Sequence, residues 1–408
     1  MKNTLSFLLL LSGLLLGCQD QATTNEATET TSTTTPANTT NTDTLNPIYI
    51  GTYTKKEGHV DGKADGIYTY HLDPETGMMK QLGVTTGIIN PSFVTVSPNG
   101  RYLYAVSETG PDVGTTGYVY AYAISPTTKT LTYLNREPTH GLAPCHLSVT
   151  PNGQLLIVTN YIGGVVTVIP LQSNGALSPA SDVIKLPGKG ITARQEGSHP
   201  HSVAISKDGT FAYIPDLGTD KIMIYGIAYQ TGKLLPAQVP FVKIEGGSGP
   251  RHLVFHPYSM IMYVVNELSN TITSLTIDRV TGALTVFQTI STLPANFKGE
   301  SYAADIHLTP DGHLLYASNR GHNSLAIFEI NPDNGLLIPM GHTPTRGEFP
   351  RNFMIDNKGR FLHVANQNTS NIVSFKINPN NGQLTQVQDI PVPTPVCITP
   401  KRTGGGRY

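Results

Sequence analysis

Between residues 47 and 400 the sequence repeats one four-part unit seven times, and short repeats of this kind must stack or close on one another to bury their apolar faces. The first part is an apolar strand that runs into a tight turn: PSFVTVSPNG from Pro91, CHLSVTPNG from Cys145, HSVAISKDG from His201, RHLVFHPYS from Arg251, ADIHLTPDG from Ala304, RNFMIDNKG from Arg351 and a final PVCITP from Pro395. The second is a strand with a polar end: PIYIGTY from Pro47, YLYAVSE from Tyr102, LLIVTNY from Leu155, FAYIPDL from Phe211, IMYVVNE from Ile261, LLYASNR from Leu314 and FLHVANQ from Phe361. A third strand, such as GYVYAYAI from Gly117, closes on a Thr-Gly or Asn-Gly turn in six copies and on Thr128-Lys129 in the other. Glycine there supplies the positive φ that a hairpin turn needs. A fourth strand leads to the next copy. Four strands in a period of roughly 45 to 56 residues match the blades of a β-propeller.

The ends of the array fix the blade count. It opens on a second-type strand at Pro47 and finishes on a first-type strand at Pro395, so each terminus supplies what the other lacks. An all-β, seven-bladed β-propeller over 47–400 is expected, its last blade closed by both termini, which removes the free sheet edges of an open array. Composition agrees: 40 glycines and 30 prolines separate short β-branched and aromatic runs. The 27 basic and 28 acidic residues give a formal net charge of −1 and no basic field for a polyanion, so nucleic acid is not an expected partner.

Ahead of the repeats, Lys2, an apolar stretch over 5–16 and Leu15-Leu16-Gly17-Cys18 form a secretory start that resembles a bacterial lipobox. This predicts a lipoprotein signal over 1–18 with Cys18 lipidated, a disordered Thr-rich tether over 19–46, and a flexible tail over 401–408. The expectation is a monomeric cell-envelope protein that meets the membrane through its lipid alone. Cys145 and Cys397 fall in distant repeats and are expected as two buried, unbridged thiols.

Topology also says where chemistry gathers. Within a blade the first strand is innermost and the second runs antiparallel to it, so the start of one and the end of the other share a face of the disc. The inner-strand starts carry His146, His201, Arg251, His252 and Arg351; the second-strand ends carry Glu108, Asn160, Asp216, Glu267, Arg320, Asn366 and Gln367. These groups converge on one mouth of the channel, where Arg251, Arg320 and Arg351 repel one another unless acids or an anionic ligand offset them. An anionic, oxygen-rich small molecule is the expected ligand. Three other features have both a functional and a structural reading. Gly246-Gly247-Ser248-Gly249 could offer N–H groups to an anion or be an inter-blade turn. The connection over 187–198 could be a lid or a plain insertion. His199-Pro200-His201 has metal-like spacing without companion ligands, and His307 is expected to be a satisfied core histidine. No metal or cofactor is expected.

The segments SHPHSVAISKDGTFAYIPDLGTDKI, GPRHLVFHP, MYVVNEL, HLTPDGHLLYASNRGHNSLAIF and FPRNFMIDNKGRFLHVANQ resemble the lactonase family of seven-bladed propellers, which includes 6-phosphogluconolactonases and muconate-lactonizing cyclases. The resemblance covers 47–400. It implies that His201, Arg251, Glu267 and Arg320 stand at the family's active-site positions; His146, Asp216, His252, Arg351, Asn366 and Glu108, from the same mouth, are expected to hold substrate. His201 is then the general base, Glu267 orients it or replaces it, and the arginines hold an oxyanion or a substrate anion. The expected activity is metal-independent opening of a sugar lactone. An envelope location favours an unphosphorylated aldonolactone or another cyclic ester. The alternatives are a non-catalytic propeller that binds an anionic sugar or glycan, and a muconate-type cycloisomerase.

Overall fold

The computed structural model describes residues 45–58 and 60–401; the lipobox with Cys18, the tether up to residue 44 and the tail from 402 lie outside the described residues. Seven four-stranded antiparallel sheets follow one another along the chain, with one additional two-stranded hairpin. Blade 1 combines Pro395–Pro400 with Pro47–Thr52, Ile67–Leu72 and Met79–Thr85, so the terminal strands pair with each other and close the ring. Blades 2 to 7 have inner strands Val94–Val96, Pro144–Val149, Ala204–Ile205, Pro250–Phe255, Tyr302–Leu308 and Pro350–Ile355. Each is followed by the second strand read from the sequence, ending with Phe361–Asn366 in blade 7.

Apolar clusters form between neighbouring blades rather than within them. One cluster joins Tyr49 and Ile67 of blade 1 to Val94, Leu103 and Tyr122 of blade 2, and comparable sets recur around the disc. Period-2 alternation is what supplies an apolar side chain to both faces of every blade.

A repeated hydrogen bond fixes one blade against the next. All seven turns between third and fourth strands contain a left-handed residue, glycine in six and Lys129 (φ 62°) in the seventh. In five of the blade gaps a second-strand tyrosine donates its hydroxyl to that residue's carbonyl: Tyr49 to Lys129 (3.2 Å), Tyr104 to Gly175 (3.1 Å), Tyr213 to Gly282 (3.1 Å), Tyr263 to Gly335 (2.8 Å) and Tyr316 to Gly382 (2.9 Å). Blade 3 has Ile157 at the tyrosine position, and Ser181 reaches the Gly232 carbonyl at 2.6 Å instead. Tyr263→Phe should therefore strand a buried carbonyl at a cost of about 1–3 kcal/mol. Urea unfolding should show a lower midpoint with an unchanged slope.

Candidate functional site

At the mouth end, the inner strands carry a residue more than the strands they pair with. Pro144 pairs with Asn160 but His146 with Thr159, so Cys145 is extra; Arg251, Arg351 and Val396 are extra in the same way. Blade 6 has the irregularity between Ala303 and Ile306, and blade 4 has it between Pro200 and Ala204. A bulge re-aims its side chain, so consecutive residues can both face the channel. As a result Arg251 and His252 line the same small pocket, together with Glu108, Cys145, His201 and Arg351. With Ser92 and Val396, the lining draws on six of the seven blades.

Glu267 is the electrostatic hub. One carboxylate oxygen lies 2.9 Å from Arg251 Nε and 2.9 Å from Arg320 Nη2, and the other 3.2 Å from Arg194 Nη2. Burial alone would raise its pKa, but Arg320, Arg251 and Arg194 outweigh burial and hold it at about 2. A carboxylate so committed is a weak base, and its contacts suit ordering these arginines better than accepting a proton. Burial, Arg320 and Arg351 push Arg251 down to about 9, still a cation at neutral pH. Arg320 also donates to the carbonyls of Tyr302 and Ala303. Arg351 lies over the Tyr53 ring at 5.6 Å, and Tyr53 donates its hydroxyl to Glu108 at 2.9 Å. Four guanidinium groups thus face two carboxylates, an excess of positive charge suited to an anion or a developing oxyanion.

Three imidazoles gather near the arginines. The His252 ring centroid is 5.5 Å from that of His146 and 5.4 Å from that of His201. Burial, followed by the neighbouring cations and imidazoles, holds His201 and His146 well below the ordinary histidine range and His252 at about 4, so all three are neutral at neutral pH.

Three residues expected at the mouth have other tasks. Asp216 accepts the Ser198 and Thr219 hydroxyls and the His199 and Gly218 N–H groups. Asn160 donates to Val165, and Asn366 to Thr345. All three are the last residue of a second strand, and alternation turns that position away from the channel. The next residue faces it, as Glu108 and Glu267 do. Tyr53 and Tyr161 occupy the same repeat position, and that period was the signal for finding them.

The other expectations also gain definition. The N–H groups of Gly247 and Gly249 both donate to Asp220 at 2.8 Å, so the chain's own carboxylate occupies that glycine turn. The 187–198 connection is a packed wall: Gln195 is fully buried and donates to the Leu217 carbonyl, while Arg194 leans over the mouth. His307 is paired with Asp305 at 3.0 Å but is 38% exposed, so it is not a core residue. Cys145 and Cys397 are buried and free. Roomier clefts open on the opposite face, between the turns near Lys207 and Tyr258 and near Lys358 and Pro379. They lack the buried guanidinium and imidazole set, so chemistry rather than volume marks the site.

Comparison with known proteins gives consistent matches. The family model described as "Lactonase, 7-bladed beta-propeller" matches residues 47–400. A 6-phosphogluconolactonase of Bacillus subtilis is 35% identical over 313 residues, 76% of this chain and 84% of the relative. One from Formosa agariphila is 34% identical over 76% of this chain and 87% of its own length. The solved structure of a periplasmic gluconolactonase from Pseudomonas aeruginosa superposes with a TM-score of 0.81 at 33% identity, covering 88% of this chain and 99% of that one.

Proposed function

The chain belongs to the lactonase family of seven-bladed β-propellers, and from that premise we propose that it opens a sugar lactone by hydrolysis at the channel mouth, without a metal. The observation that carries the reading is the convergence of Arg251 and Arg320 on one oxygen of buried Glu267, with Arg251 lining the same pocket as neutral imidazoles. Lactone hydrolysis needs a water that loses a proton near the carbonyl carbon and cationic donors for the oxygen that becomes negative. The imidazoles supply the first need. The second falls to Arg251 and Arg320, held rigid by Glu267 before substrate arrives, so little reorganisation remains at the moment of reaction. Arg194 and Arg351, at the edges of the cluster, suit a hydroxyl-rich or anionic substrate.

Two named relatives act on gluconate-type lactones, one of them phosphorylated and one periplasmic, which supports the substrate class. The full-length protein should accelerate proton release from δ-gluconolactone, with chelator making no difference. Arg320→Ala should lower kcat/KM by about 10²–10³-fold, the usual effect of losing one oxyanion donor. A variant with wild-type kcat/KM would remove the mouth from the reaction.

The lipobox extends the proposal to location: a monomeric enzyme of the bacterial cell envelope, tethered through Cys18 and facing lactones outside the inner membrane. Labelled palmitate should enter the wild-type protein and not Cys18→Ser. Equal labelling of both would exclude this anchor.

A further inference from the structure

Asp305, on the inner strand of blade 6, is a buried carboxylate with four hydrogen-bond partners. One oxygen lies 2.8 Å from His252 Nδ1. The other takes His307 Nε2 at 3.0 Å, the Asn352 side-chain amide, and the Phe353 N–H at 3.1 Å. Burial would raise its pKa, but His307 and His252 reverse that and hold it well below the carboxylate range. An ionised carboxylate only accepts, so each imidazole nitrogen that faces it carries a proton. A neutral His252 has one proton to place. That proton sits on Nδ1, and Nε2 keeps its lone pair.

The neighbouring imidazoles are arranged differently. His146 Nδ1 accepts the Val203 N–H at 3.3 Å, so its proton is on Nε2 and it presents a donor. Among the described residues His201 Nδ1 is buried with no hydrogen-bond partner, and no carboxylate fixes its tautomer. Ser92 Oγ is likewise buried and unpartnered among the described residues. Ser92, His201 and His252 line the same small pocket, which has room for about one water molecule. A polar void of that size fits a water.

We infer that His252 is the catalytic base that takes a proton from the attacking water, that Asp305 is the positioning residue that fixes its tautomer, and that the pocket lined by Ser92 and His201 receives the water. The inference rests on the lactone-hydrolase reading and assigns roles within it. One O–H bond of the water breaks and its proton goes to His252 Nε2, while the oxygen forms a bond to the lactone carbonyl carbon. The carbonyl π pair becomes the oxyanion facing Arg251 and Arg320. When the ring C–O bond breaks, the leaving alkoxide takes the proton back from Nε2. The product is the open hydroxy acid, and His252 is neutral again.

The test is steady-state hydrolysis of δ-gluconolactone by the full-length protein across pH, with His252→Gln, Asp305→Asn and His201→Gln. His252→Gln should lose about 10²–10⁴-fold in kcat, the span of general-base catalysis, with KM little changed. His201→Gln should lose less. The charged groups that face His252 are Arg251 on its own strand and Asp305 on blade 6, with the imidazoles of His307, His146 and His201 around them. A base must be neutral to act, so wild-type kcat/KM should climb as pH rises through about 4 and stay flat until Arg251 loses its proton near 9. Asp305→Asn removes the charge that favours protonation, so its acid limb should move to lower pH while kcat falls. A nitrogen NMR spectrum of histidine-labelled wild-type protein, which needs no variant to fold, should show His252 protonated at Nδ1 and bare at Nε2. Wild-type kcat in His252→Gln, an unmoved acid limb in Asp305→Asn, or the reverse tautomer would each overturn the assignment. An inactive wild-type protein would overturn the lactone reading itself.

Discussion

The mouth depends on one irregularity of the backbone. A regular strand sends consecutive side chains to opposite faces, so an inner strand could offer the channel only every second residue. The extra residue at the mouth end of six inner strands breaks that rule where it matters. Cys145, Arg251, Arg351 and Val396 are all extra residues and all line one pocket, and in blade 5 Arg251 and His252 enter it side by side. Blade pairing resumes immediately below, so the distortion is held by sheet on one side and by inter-blade packing on the other. Loops alone could not place guanidinium and imidazole groups so closely, because their positions would not be fixed by ladder hydrogen bonds.

Electrostatics then decides what such crowding can mean. Arg251 and Arg320 are almost fully buried, and two cations in that position are tolerable only with a shared counter-ion. Glu267 is that counter-ion, and being fully committed it is removed from proton transfer. The division of labour follows. In the proposed reaction acid at the rim orders the cations, cations polarise an oxygen, and proton transfer falls to imidazoles that burial and the same cations keep neutral. Deeper in, Asp305 ties the inner strands of blades 5, 6 and 7 together through His252, His307 and Asn352, so a residue that braces the channel also sets a tautomer.

Much of this was legible in the sequence because repeats announce themselves. Blade number, closure by the termini, the turns and the face where charged groups gather all follow from aligning seven segments. Six inner strands also begin on or shortly after a proline (Pro91, Pro144, Pro200, Pro250, Pro350 and Pro395), and the residue after each proline lines the pocket. That regularity was available and identifies Ser92 and Cys145 as well as the arginines. Asn160, Asp216 and Asn366 were misplaced because the second-strand ends were read as a block, without the period of two that separates Asn366 from Gln367. Arg194 was not legible as a partner of Glu267. It sits in an insertion that no other copy shares, and only the three-dimensional path of that wall brings it over the mouth. The role of Asp305 was hidden for another reason, since it joins residues 53 and 47 positions away across two blade gaps.

A crystal structure with a non-hydrolysable lactam analogue of an aldonolactone tests the mouth as the reaction centre most directly. The ring should sit above the three imidazoles, with its carbonyl oxygen hydrogen-bonded to the guanidinium of Arg251 or Arg320 and the Glu267 ion pairs intact. An analogue seated instead in a cleft of the opposite face, beside Tyr258 or Lys358, with the mouth unchanged, would contradict the assignment.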